Sequence, residues 1–235
     1  MHGGSRDSHD LTGKVMLSIM ASKYRQNVTY VVNLVVNKMY RERVEEAFTQ
    51  NYGVLKASEL RELKVDSRAI RRLIEGGVME RIKTGYYRSL TIDPGEAATV
   101  VRLYPEGVLW LHTALFYYNY SDRTPLEWEL LVSKNISRSR FELDYPVVKP
   151  FFVRPEELSF GITTMKIDGV TMNILDRDRL ICECLRYERD LDSETFNKAI
   201  QGYLGDQEKN IRNLMSYAKR RRVSKRVHDI LGVWL

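Results

Sequence analysis

Between Asn51 and Leu90 the spacing of apolar residues changes repeatedly, and each change marks an element. Ser58 to Leu63 reads as a short helix. After Asp66, Ile70, Leu73 and Ile74 recur at helical spacing and point inward, while Arg68, Arg71 and Arg72 fall on the opposite half of the wheel. Asp66 is placed as N-cap of this helix and the pair Gly76 and Gly77 as its end. Met79 to Ile82 and Tyr86 to Ser89 read as two strands around a turn of Lys83, Thr84 and Gly85. Upstream, Val28, Val32, Val35, Met39, Val44, Ala47 and Phe48 fit a long amphipathic helix over about 28–50. Asn51, Tyr52 and Gly53 stop it, with Gly53 able to take the left-handed cap position, and Val54 and Leu55 form a short extended link.

Three helices, the last two joined by a tight turn, then a hairpin: the pattern predicts a winged helix-turn-helix over 23–90. Residues 1–22 open with a polar Gly/Ser/Asp-rich stretch that cannot build a core and reads as a tail, disordered or partly helical. The character changes at 91–93. Pro94 leads a helix to about Leu103, and Leu109 to Asn119 reads as another. Trp128–Val132, Val147–Val153, Ile162–Ile167 and Val170–Ile174 are of strand type, the last two joined by a tight Asp168, Gly169 turn. Helices follow at Arg179–Tyr187, Ser193–Tyr203, Glu208–Lys219 and Ser224–Val233. The expected fold class is α+β, with a larger mixed α/β domain over 91–235.

Charge placement adds a partner class. The net charge of the 235-residue chain is +6, but residues 22–90 hold 14 Lys/Arg against 8 Asp/Glu, residues 91–208 hold 13 against 20, and residues 209–226 hold 8 against none. Two basic regions flank an acidic one, which favours a localised polyanion site. Cys182 and Cys184 are i, i+2 on an expected helix, so their side chains diverge and cannot pair. With no signal-peptide pattern and no long uninterrupted apolar run, a cytoplasmic protein without membrane contact is expected.

Candidate chemistry follows from these placements. On the second helix of a helix-turn-helix, Arg68, Arg71 and Arg72 could pair with guanine O6 and N7 in the major groove of double-stranded DNA, and Ser67 at its start suits a phosphate oxygen. Glu75 is placed to pair with Arg71 or Arg72. Arg81, Lys83, Thr84 and Arg88 on the hairpin are candidate phosphate or minor-groove contacts, with Tyr86 and Tyr87 packing the hairpin against the helix. Lys56 and Lys64 could reach phosphate from the flanks. Lys219, Arg220, Arg221, Arg222, Lys225 and Arg226 cannot all lie on one helix face. Two readings of that run stay open, added DNA backbone contact or a docking surface for an acidic or nucleotide-handling partner.

Catalytic patterns are sparse. His2, His9, His112 and His228 have no metal-ligand spacing, and His112, on an apolar helix, reads as a satisfied core or boundary histidine. There is no phosphate-cradling Gly-rich motif, and the one (Asp/Glu)-x-Lys triplet, Glu62-Leu63-Lys64, falls inside the helix-turn-helix. The residues point to a binding protein without metal or cofactor rather than an enzyme.

Leu60 to Val65, Ile70 to Leu73, Gly77 to Met79, Arg81 and Gly85 to Tyr87 resemble the opening pattern of the AbiEi antitoxins, the antitoxin half of the abortive-infection AbiE system (type IV toxin-antitoxin). The stretches 111–125 (LHTALFYYNYSDRTP), 174–187 (ILDRDRLICECLRY) and 214–227 (LMSYAKRRRVSKRV) are similar to later segments of that family, in order. Lys64 stands where the family usually has Gly, Leu180 where it often has Thr, and Glu183 where it often has Asp. The resemblance implies an antitoxin that counteracts a nucleotidyltransferase-type toxin and represses its own operon at inverted-repeat DNA, a monomer in solution that binds DNA cooperatively. The alternatives are a stand-alone winged-helix regulator with a ligand-sensing or oligomerising second domain, and an enzyme tethered to DNA.

Overall fold

The computed structural model describes residues 38–232. The tail 1–22, the part of the expected first helix before residue 38, and Val233 at the expected end of the last helix lie outside the described residues. Among the described residues, 38–50 belong to helix α1, which buries Val44 and Phe48, while Met39, expected on the same stripe, is 47% exposed. Gly53 takes the left-handed conformation (φ 79°), which ends the helix and turns the chain into β1, Val54–Lys56. This strand replaces the expected extended link: it pairs antiparallel with β3 (Tyr86–Ser89) in the register Val54↔Arg88 to Lys56↔Tyr86, and β3 pairs with β2 (Met79–Lys83). The first sheet therefore has three strands, in the order β1-β3-β2.

Between β1 and β2 lie α2 (Ala57–Glu62) and α3 (Ser67–Glu75). Their link is tight because Lys64 is left-handed (φ 59°), with Val65 N donating to the Leu60 carbonyl. Asp66 caps α3 as expected, its carboxylate accepting from Ala69 N at 2.8 Å. Val44, Phe48, Leu55, Leu60, Val65, Leu73, Val78 and Met79 form one buried cluster. Ile74, expected to face inward, is 38% exposed, because Leu73 alone takes the buried position on the last turn of α3.

A second, larger buried cluster runs from Ala97 to Leu231. After α4 (Gly95–Leu103), the expected helix from Leu109 instead starts at Leu111: Val108–Leu109 form β4, and α5 covers Leu111–Tyr117. The reason is tertiary, since this two-residue strand is central, antiparallel to β5 (Trp128–Ser133) and parallel to β8 (Val170–Leu175). The five-stranded sheet has the order β6-β5-β4-β8-β7, with β6 Val148–Val153 and β7 Ile162–Ile167. Asp168 and Gly169 both have positive φ (47° and 84°), the two-residue turn expected there.

Helix α6 (Arg177–Arg186) starts two residues before expectation because Asp176 caps it, and it is buried from Asp178 to Leu185. Helices α7 (Ser193–Gly205), α8 (Ile211–Arg221) and α9 (Ser224–Leu231) surround it. Asn210 caps α8, which moves its start from the expected Glu208. The two sheets with intervening and following helices are a mixed α/β arrangement of the α+β kind. Among the described residues no helix is long and apolar enough to cross a membrane.

Candidate functional site

On α3 the side chains of Ser67, Arg68, Arg71 and Arg72 are exposed, while Leu73 is buried and Ile70 half-buried. The helix therefore sits on the small core by one edge and presents a basic face outward. Lys64, at the left-handed turn before it, is also exposed, and Lys56 is half-buried at the N-terminus of α2. On the adjacent hairpin Arg81 and Thr84 are exposed. Arg88 is half-buried on the strand face, where its guanidinium ion-pairs with Glu80. The pairing register shifts between Arg81 and Lys83.

Lys83, expected among the phosphate or minor-groove contacts, is half-buried and turned toward the larger unit. Its Nζ donates to the Arg140 carbonyl at 2.9 Å, with the Tyr104 ring centroid 4.4 Å away and that of Tyr86 5.0 Å away. Burial and the nearby Arg140 guanidinium push the Lys83 ammonium down to about 8. Tyr104 donates its hydroxyl to the same carbonyl at 3.0 Å, and burial lifts that phenol to about 12. Tyr86, expected to fix the hairpin against α3, instead packs on the larger cluster together with Ile82; Tyr87 alone packs on the small one. The hairpin is thus a joint between the two cores. A second tie lies on the other side of the sheet. Arg102 of α4 donates to the Val54 carbonyl at 3.1 Å and pairs at 2.6 Å with Glu59, whose carboxylate also accepts from Lys56 N.

No family model and no curated protein matches the chain.

The basic run 219–226 divides. Arg221, expected on a DNA or partner surface, is buried: its Nη2 donates to Glu183 at 2.8 Å, and Nη1 meets Glu157. Arg226 ion-pairs with Glu188, and the Arg220 guanidinium lies 3.7 Å from the centroid of the Phe160 ring. Lys219, Arg222 and Lys225 are exposed. The cause is local, because Arg222 is left-handed (φ 59°) and ends α8, so α9 leaves in a new direction and the six charges share no face.

Glu183 and Arg179, read only as part of the family-like stretch, form a buried pair at 2.5 Å that Arg221 joins. Burial holds the Arg179 guanidinium down, with Glu183 opposing that. Asp178, also buried, accepts from the Tyr203 hydroxyl and from Asn210 N, each at 2.8 Å, and burial raises its carboxyl against those bonds. These charges hold α6, α7 and α8 together. Of the two readings of His112, core or boundary, the structure shows the second: it is half-buried, with Nδ1 3.1 Å from the Glu129 carboxylate. Sequence reasoning passed over the turn Arg138–Phe141 (RSRF), which the structure brings beside the hairpin. The signal available was the alternation of Ser and Arg from Ser137 to Arg140 between two strands.

Proposed function

We infer that the N-terminal unit is a winged helix-turn-helix that binds double-stranded DNA. On this reading α3 is the helix that enters the major groove and the β2–β3 hairpin is the wing. The observation that carries it is the outward arginine face of α3, Arg68, Arg71 and Arg72, on a helix anchored from behind by Leu73 and fixed at its start by Asp66. Ser67 and the first-turn backbone N–H groups would take a phosphate oxygen, and Arg81, Thr84, Lys64 and Lys56 would flank it.

The larger unit extends the reading through its resemblance to the AbiEi antitoxins. The protein would act in the cytoplasm as the antitoxin of a type IV system, repressing its own operon at inverted repeats through α3. Residues 91–235 would counteract a nucleotidyltransferase-type toxin. Fluorescence anisotropy with the duplex upstream of the protein's own reading frame, in graded salt, tests the DNA reading. Replacing Arg68, Arg71 and Arg72 with Ala should abolish sequence-specific binding. Unchanged affinity in that triple variant would refute it. Co-expression with the product of the neighbouring gene tests the antitoxin reading, and the triple variant should still neutralise toxicity.

A further inference from the structure

The hairpin and the Arg138–Phe141 turn enclose a cleft of about 520 Å³ lined by Lys83, Thr84, Tyr86, Ser139, Arg140 and Glu142. Its walls come from both units, and two cations in its lining face one carboxylate. Lys83 is half-buried and uses one donor on the Arg140 carbonyl; among the described residues no carboxylate forms an ion pair with it. The Arg140 guanidinium stands close enough to help depress the Lys83 ammonium, an effect that Glu106 opposes; Arg140 Nη1 pairs with Glu106 at 2.6 Å and its Nη2 donates to the Leu103 carbonyl at 3.4 Å, which leaves its remaining N–H groups for another acceptor. Two exposed residues, Thr84 and Ser139, add hydroxyls. An ammonium and a guanidinium held together at half-burial without a full complement of carboxylates leave charge-assisted donors unfilled, and hydroxyls beside them suit a tetrahedral oxyanion.

We propose that this cleft binds a phosphate group through Lys83, Arg140, Thr84 and Ser139, the group belonging either to a duplex backbone or to a free phosphate ligand. Occupation would join the hairpin to the larger unit, since its donors come from both. Glu142 is the one carboxylate in the lining, and it opposes the anion. The inference concerns the phosphate group alone and does not depend on sequence-specific DNA recognition by α3.

The test is competitive acetylation of the full chain at pH 8 with limiting N-hydroxysuccinimidyl acetate. Peptide mass spectrometry reads Lys83 against Lys134 and Lys166 as internal controls. The arms are inorganic phosphate, sodium chloride at matched ionic strength, and a random-sequence duplex. Inorganic phosphate should slow Lys83 selectively, by roughly tenfold for each pKa unit the bound anion restores to the ammonium. Glu142→Gln should lower the phosphate concentration required, and Arg140→Gln should raise it. Protection by the duplex without protection by inorganic phosphate would assign the group to a nucleic-acid backbone. No protection by either, equal protection by chloride, or protection unchanged in both variants would overturn the proposal. Arg140→Gln could loosen the joint, so Glu142→Gln, which leaves every donor in place, carries the decision in that case. Failure of the DNA reading is separate: it would appear as absent operator binding with phosphate protection of Lys83 intact.

Discussion

Arg221 and Glu183 meet at 2.8 Å where each side chain is at most 6% exposed, so a residue from the most basic stretch of the chain is an internal strut. Truncating one partner of such a pair leaves the other charge buried, at a cost of about 3–5 kcal/mol. Arg221→Ala should therefore lower the urea midpoint severely. Lys219→Ala, two residues away and exposed, should stay within about 0.5 kcal/mol of the parent. Equal, small effects of the two substitutions would show that the pair carries little of the packing of α8 on α6.

Lys64 occupies the left-handed turn between α2 and α3 (φ 59°). A non-Gly residue there costs on the order of 1 kcal/mol, and Gly would return part of that gain through its freer unfolded chain. Lys64→Gly should be neutral to stabilising by about 0.5 kcal/mol in chemical unfolding. Lys64→Val should destabilise by more than about 1 kcal/mol, because a β-branched side chain is a steric outlier in that region. If Val were tolerated as well as Gly, the turn would not be strained in the way its backbone angle indicates.

The elements legible in the sequence are those whose causes are local. Asp66 and its cap, and the turn residues Asp168 and Gly169, each determine their geometry within four residues; the hairpin turn is shorter than its expected Lys83–Gly85 span, because Lys83 pairs with Tyr86 as the last residue of β2 and leaves Thr84 and Gly85 to turn. Val54–Lys56 and Val108–Leu109 were not legible as strands, because two or three residues show no period and their partners lie about twenty to sixty-five residues away. The candidate site follows the same division. The exposed arginine face of α3 can be read from helical spacing alone. The inward turn of Lys83 depends on Tyr104 and Arg140, and the burial of Arg221 depends on Glu183 and Glu157, none of which spacing connects. Charge runs read as surfaces fail where a distant helix brings the opposite charge.

His112 and Glu129 form a pH-sensitive pair in the larger unit. The hydrogen bond to Glu129 raises the His112 pKa above its usual 6.5, with burial opposing it. Burial pushes the Glu129 carboxyl up, but the bonds from His112 outweigh it and hold it low. Because the folded-state value of His112 is raised, its contribution to stability is fully present below the unfolded value and is lost as pH climbs through the folded one. The thermal midpoint of the parent relative to His112→Asn should therefore shrink from about pH 6 to pH 8. A difference independent of pH over that window would mean that the histidine acts through packing alone.

Lys83 has the opposite sign. Its folded-state pKa lies near 8 against an ordinary 10.5, so folding favours the neutral amine. The stability linked to it is absent at neutral pH, develops as pH rises through about 8, and is complete above the unfolded value of 10.5. Lys83→Met keeps the chain length of the stem and removes the titration. At pH 7 the Met variant should be at least as stable as the parent, and the parent should gain on it steadily between pH 8 and pH 10.5 in guanidinium unfolding. Saturating inorganic phosphate should flatten that gain, because a bound anion favours the ammonium that burial disfavours. A parent that loses ground to Lys83→Met over this range would show that the ammonium is stabilised where it sits, with the Arg140 carbonyl and the Tyr86 and Tyr104 rings outweighing burial.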